Sequence, residues 1–187
     1  LGRGEDATAG RGLEGNVVVF TGGGKGKTTA AVGLAYRALG HGGRAAFVYF
    51  TGPQRPSLGE VQSLKLLGSR VTTIAIRSQA AHASYLDQFD DSAPTVDAAL
   101  DRVRELMREA EWSLLVLDDI NPLLAQGIID AVRLRELIDE KPESATIVLT
   151  GRSAPDWLLE MASIATDFTE VKHPVHEGVG PRRGIEF

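Results

Sequence analysis

Asn16–Thr29 reads NVVVFTGGGKGKTT, and this stretch decides the fold. Asn16–Thr21 is a continuous apolar run, the pattern of a strand buried on both faces. Residues 27–39 (KTTAAVGLAYRAL) are rich in Ala and Leu and stop before Gly40, which predicts a helix. Between them lies Gly22-Gly23-Gly24-Lys25-Gly26-Lys27-Thr28-Thr29. A glycine-rich turn from strand to helix lets successive N–H groups point inward at phosphate oxygens, and the helix start adds the positive end of its dipole. Lys27 is placed to reach terminal phosphates, and the Thr28 hydroxyl to bind Mg²⁺. The usual loop, G-x-x-x-x-G-K-[ST], would need Gly at position 21, where this chain has Thr21, so the loop reads one residue tighter. The competing reading is a glycine turn with two incidental lysines. The Gly-Lys-Thr core, the strand before and the helix after all speak against it.

Outward from the loop the chain alternates. Arg44–Phe50, Val71–Ile76, Ser113–Leu117, Ala145–Thr150 and Asp167–Val171 read as further strands. Leu58–Leu67, residues 94–111, residues 130–140 and Ala154–Met161 read as helices. The second of these carries Val96, Leu100, Val103, Leu106 and Met107 at helical spacing, with Pro94 near its start. The alternation predicts one α/β domain over 15–187. Its sheet is mainly parallel, of about six strands, with helices on both faces. Residues 1–14, rich in Gly and charge, read as a tail, or as a lid over a site.

The 187 residues suffice for one domain with a full core. The net charge of −5 is a poor prior for nucleic-acid binding. The absence of cysteine removes disulfides, thiolate metal sites and a Cys nucleophile. No apolar run approaches the ~20 residues of a membrane helix, and no secretory apolar region opens the chain. The expectation is a cytoplasmic protein without membrane or nucleic-acid partners.

A phosphate loop with a metal calls for acidic residues on a neighbouring strand. Leu114-Leu115-Val116-Leu117-Asp118-Asp119 offers a carboxylate pair at a strand's C-terminal end, where ligands gather in open α/β sheets. Mg²⁺ prefers hard oxygen ligands and retains waters, so Asp119 is expected to bind it directly and Asp118 through water. Alone, the pair would read as a cap on the next turn.

Several ordered segments carry a resemblance. They are Val19–Ala31, Arg37–Gly42, Gly59-Glu60, Leu117-Asp118-Asp119, Leu149–Pro155, Val171–Pro174 and Gly184–Phe187. Over roughly residues 13–187 the chain resembles the P-loop type of ATP:corrinoid adenosyltransferase. The resemblance implies a P-loop NTPase-like, RecA-like fold. It also implies transfer of the 5′-deoxyadenosyl group of ATP to the cobalt of a reduced corrinoid, with release of triphosphate. Lys27, Thr28 and Asp119 would then be catalytic. Gly22, Gly23, Gly24, Lys25, Gly26, Lys27, Thr28, Thr29, Glu60 and Arg152 would bind the nucleotide. Thr28, Asp118 and Asp119 would hold Mg²⁺ or Mn²⁺. A homodimer and a flavoprotein reductant are implied by analogy. Two departures stand out. The family has Glu where this chain has Asp119. It also has a Phe-x-Trp segment where this chain has Ile76-Arg77-Ser78-Gln79-Ala80-Ala81-His82.

Two other classes compete. One is a hydrolytic P-loop NTPase or a small-molecule kinase, though no Arg-rich lid is evident. The other is a relative that binds nucleotide or corrinoid without turnover. Arg152 reads as a phosphate or corrinoid contact, or as a surface residue. Glu60 reads as a ribose or metal contact, or as a helix start. His41, His82, His173 and His176 read as structural or surface groups, not as catalysts.

Overall fold

The computed structural model describes residues 15–50, 59–76 and 96–185. The expected tail or lid over 1–14 lies outside the described residues. So do Arg77–His82, Pro94 and Glu186-Phe187.

Six strands appear: β1 Val17–Thr21, β2 Ala45–Tyr49, β3 Val71–Ala75, β4 Leu114–Asp118, β5 Thr146–Thr150 and β6 Ile164–Asp167. They form one sheet in the order β3-β2-β4-β5-β1-β6, and every pairing is parallel. Among the described residues six α-helices accompany them: α1 Lys27–Gly40, α2 Gly59–Lys65, α3 Val96–Glu109, α4 Asn121–Ala125, α5 Ala131–Asp139 and α6 Asp156–Met161.

The central strands are apolar because both faces are covered, and their alternation divides the side chains between two cores. Val18, Phe20, Phe47, Val116 and Val148 pack with Ala31, Ala35 and Leu39 of α1 and with Val61 and Leu64 of α2. Val17, Val19, Val48, Leu115, Leu117, Ile147 and Leu149 pack with α3, α4, α5 and α6. Full burial of each such side chain contributes about 1.5–3 kcal/mol before chain entropy is counted.

Local signals explain most element ends. Asp130 caps α5, its carboxylate accepting from Val132 N at 2.7 Å. Trp112 Nε1 donates to Leu106 O at 2.6 Å and closes the end of α3. Gly40 is the last residue of α1 rather than its stop. The left-handed turn residue comes two positions later, at Gly42 (φ 84°).

Two expectations are corrected. The sixth strand was expected at Asp167–Val171 and lies at Ile164–Asp167, where Val18↔Ile164 to Thr21↔Asp167 pair it with β1. It is an exposed edge strand of mixed polarity, so it lacks the apolar run that marks β1, β2, β4 and β5. The acidic strand β4 is not the neighbour of β1, because β5 lies between them. The expected P-loop NTPase-like architecture is otherwise present: strand, loop and helix follow in order, and the acidic strand shares the sheet.

Candidate functional site

The C-terminal ends of β1, β4, β5 and β6 converge on the glycine loop. Gly22 (φ 96°) and Gly26 (φ 110°) occupy the left-handed region, which only glycine adopts freely. A Cβ on Gly22 would overlap the Asp167 carboxylate, and one on Gly24 would sit 2.6 Å from Phe168 O. The closeness has a cause: Gly24 N donates to Phe168 O at 2.6 Å, and Phe168 N to Thr21 O at 2.9 Å. The end of β6 thus backs the loop. Phe168 packs edge-on against Phe20, with ring centroids 5.5 Å apart.

Lys27 opens α1 and folds back over the loop. Its Nζ donates to Gly22 O at 2.8 Å and to Gly24 O at 2.7 Å. Burial lowers its pKa, and the charge of Arg152 lowers it further, while Asp119, Asp167 and Asp118 oppose the shift. Arg152 follows β5 and is exposed. Its field at Lys27 puts it on the rim of the same site.

Thr28 Oγ1 donates to Asp118, 3.0 Å from Oδ1 and 3.2 Å from Oδ2. Thr150, at the end of β5, donates to Asp118 Oδ1 at 2.7 Å and accepts from Asp119 N at 2.9 Å. Asp118 is 4% exposed. Burial and then the Asp119 charge push its carboxyl up to about 7, against the hydrogen bonds from Thr150 and Thr28. Asp119 is half-buried and holds a left-handed backbone (φ 59°), uncommon for a non-glycine residue and typical of functional turns. Thr28 therefore meets Asp118 directly, while Asp119 turns the chain beside it.

The remaining expected residues fall around this centre. Gly23, Lys25 and Thr29 are exposed in the loop and the first turn of α1. Glu60 is partly buried in the first turn of α2, and its charge reaches Asp118. His41 lies beyond the C-terminal end of α1, away from the loop. His176 faces Glu170 at 2.6 Å on the surface.

Three residues went unnoticed in the sequence. Asp167 and Phe168 come from the strand whose position was misread. Asn121 is fully buried, and its Nδ2 donates to Phe20 O and Gly151 O, both at 3.1 Å. It ties the end of β1 to the turn after β5. An amide side chain two positions after the carboxylate pair was the available signal.

The gathered oxygens of Thr28, Asp118 and Asp119 are the hard donors that Mg²⁺ favours. Among the described residues no group of three or more His, Cys, Asp or Glu forms a self-sufficient metal cage. The arrangement is equipped to hold a metal–polyphosphate and to stabilise negative charge on it.

Known proteins agree. Residues 13–187 match the family model described as ATP:corrinoid adenosyltransferase BtuR/CobO/CobP. A corrinoid adenosyltransferase from Sinorhizobium sp is 33% identical over 93% of this chain and 81% of its own length. One from Pseudomonas aeruginosa is 30% identical over 92% and 84%. One from Escherichia coli K12 is 29% identical over 92% and 86%. The crystal structure of the flagellar accessory protein FlaH from Methanocaldococcus jannaschii superposes with a TM-score of 0.55 at 16% identity. It covers 83% of this chain and 71% of that one, a likeness of fold alone. A match over nearly the whole chain makes this chain a member of the ATP:corrinoid adenosyltransferase family.

Proposed function

We propose that the protein transfers the 5′-deoxyadenosyl group of ATP to the cobalt of a reduced corrinoid and releases triphosphate. One observation carries the reading: the 3.0 Å bond from Thr28 to Asp118 joins the phosphate loop to the acidic strand end, in a chain of this family. In the reaction the bond from C5′ to the triphosphate oxygen breaks and a bond from C5′ to cobalt forms. The reduced cobalt of the substrate supplies the electron pair, so the chain needs no covalent nucleophile.

Its own residues manage the leaving group. Lys27, the loop N–H groups other than that of Gly24, which is held by Phe168 O, and the positive end of α1 stabilise the charge collecting on triphosphate. For this Lys27 must exchange the Gly22 and Gly24 carbonyls for phosphate oxygens. In this proposal Thr28 and Asp119 hold Mg²⁺ or Mn²⁺, with Asp118 acting through water. The cation, when bound, neutralises part of the triphosphate charge. Thr150 and Thr28 orient Asp118. Glu60 serves the ribose or metal side, Arg152 and Lys25 the outer phosphates, and Thr29 the first turn of the cradle. The remaining contribution is position: C5′ held in line with cobalt, away from water. A homodimer, a flavoprotein reductant and a cytoplasmic location belong to the same proposal and rest on family membership.

Anaerobic incubation with ATP, Mg²⁺ and chemically reduced cob(I)alamin tests it. The expected products are adenosylcobalamin, read from the visible spectrum, and triphosphate. ADP and phosphate without an alkylated corrinoid would make the protein a hydrolytic P-loop enzyme instead.

A further inference from the structure

Tyr49 ends β2, its ring stacked on Phe47 with centroids 5.8 Å apart. It is 3% exposed, yet its hydroxyl has no hydrogen-bond partner among the described residues. Its backbone is satisfied, the carbonyl accepting from Ile76 N at 2.8 Å. Leaving a buried hydroxyl unpaired is unfavourable, and phenylalanine would fill the same space without that penalty.

The surroundings suggest why the hydroxyl is there. Tyr49 is paired in register with Asp118 of β4. Ala45, Phe47, Leu114 and Val116 all face the α1–α2 side, and the two-residue period brings Tyr49 and Asp118 to the same side. Burial first, then the charges of Asp118 and Glu60, hold the phenol's pKa well above its ordinary value. The hydroxyl, which carries its proton at neutral pH as any phenol does, thus lies on the same side of the sheet as the acidic end of β4 and α2.

We propose that Tyr49 is a ligand-binding residue of this site, its hydroxyl donating to an oxygen of the bound metal–nucleotide. The proposal rests on the reading of the loop as an ATP site. The oxygen belongs to a phosphate or to a hydroxyl of the nucleoside.

The test is Tyr49→Phe in the full chain, with circular dichroism to verify the fold. Without ligand the variant is expected to melt at or above the parent's temperature. With ATP and Mg²⁺ its dissociation constant, measured by calorimetry, is expected to rise about three- to tenfold. Tripolyphosphate with Mg²⁺ separates the two sources: a loss that persists identifies a phosphate oxygen, and a loss seen only with ATP identifies a nucleoside hydroxyl. Binding as tight as the parent's overturns the proposal. So does a lower melting temperature without ligand, which makes the hydroxyl structural. If the parent itself fails to bind ATP, the nucleotide reading falls first.

Discussion

Lys27 and Asp118 are the side chains on which the site turns. Replacing Lys27 with Ala removes the cation that now rests on two loop carbonyls. Calorimetry with ATP and Mg²⁺ is expected to show no binding, and circular dichroism an unchanged fold. Binding equal to the parent's would mean that phosphate sits elsewhere. Asp118 makes a pH prediction. Its carboxyl is raised in the folded chain from 3.8 towards about 7. Its contribution is therefore fully present below about pH 4 and is lost as pH rises through 7, because the folded chain keeps a proton that the unfolded chain has released. Urea denaturation of the ligand-free protein is expected to show stability falling across that window, and Asp118→Asn to flatten the fall. An equal slope in both proteins would refute the assignment. The motif type pointed to both residues in the sequence. It did not reveal which aspartate meets Thr28, because that depends on β5 placing Thr150 beside Asp118.

At the scale of elements, the legible parts are those with a strong local cause. Four strands are apolar runs, and α1, α3 and α5 have helical spacing with caps or breakers. The illegible parts owe their structure to neighbours. β6 is exposed and exists through its pairing with β1. α4 has five residues, too few to show a period, and is fixed by the buried Asn121. This junction yields a prediction. Gly151 has φ 130°, and a Cβ there would sit 2.5 Å from Pro122 Cδ. Gly151→Ala should cost about 2–3 kcal/mol in urea denaturation. A loss below half a kcal/mol, in order of magnitude, would show that the junction is soft. Gly24→Ala belongs to the same class, since its Cβ meets the Phe168 carbonyl that anchors the loop. It should weaken ATP binding with the sheet intact, as measured by calorimetry and circular dichroism.

For the whole molecule, the sheet order matters more than any single strand. Apolar runs implied cover on both faces but could not reveal which helices supply it. Only the pairing order shows that α1 and α2 cover one face and that α3 to α6 cover the other. β5 between β1 and β4 is likewise a fact of topology. A ligand bridging loop and acidic strand should stabilise the fold as a unit. At about a hundredfold excess over its dissociation constant it adds about 2.7 kcal/mol, or roughly 5–10 °C in melting temperature for a chain of this length. Calorimetric melting with and without ATP and Mg²⁺ checks this, and an unshifted transition would deny the bridge. The resting position of Lys27 also bears on which solutes the protein ignores. Its ammonium already makes two charge-assisted bonds to Gly22 and Gly24. A lone chloride must break them for a single new contact. A polyphosphate replaces them and engages the loop amides as well. Small anions are thus discriminated against by an exchange within the loop itself.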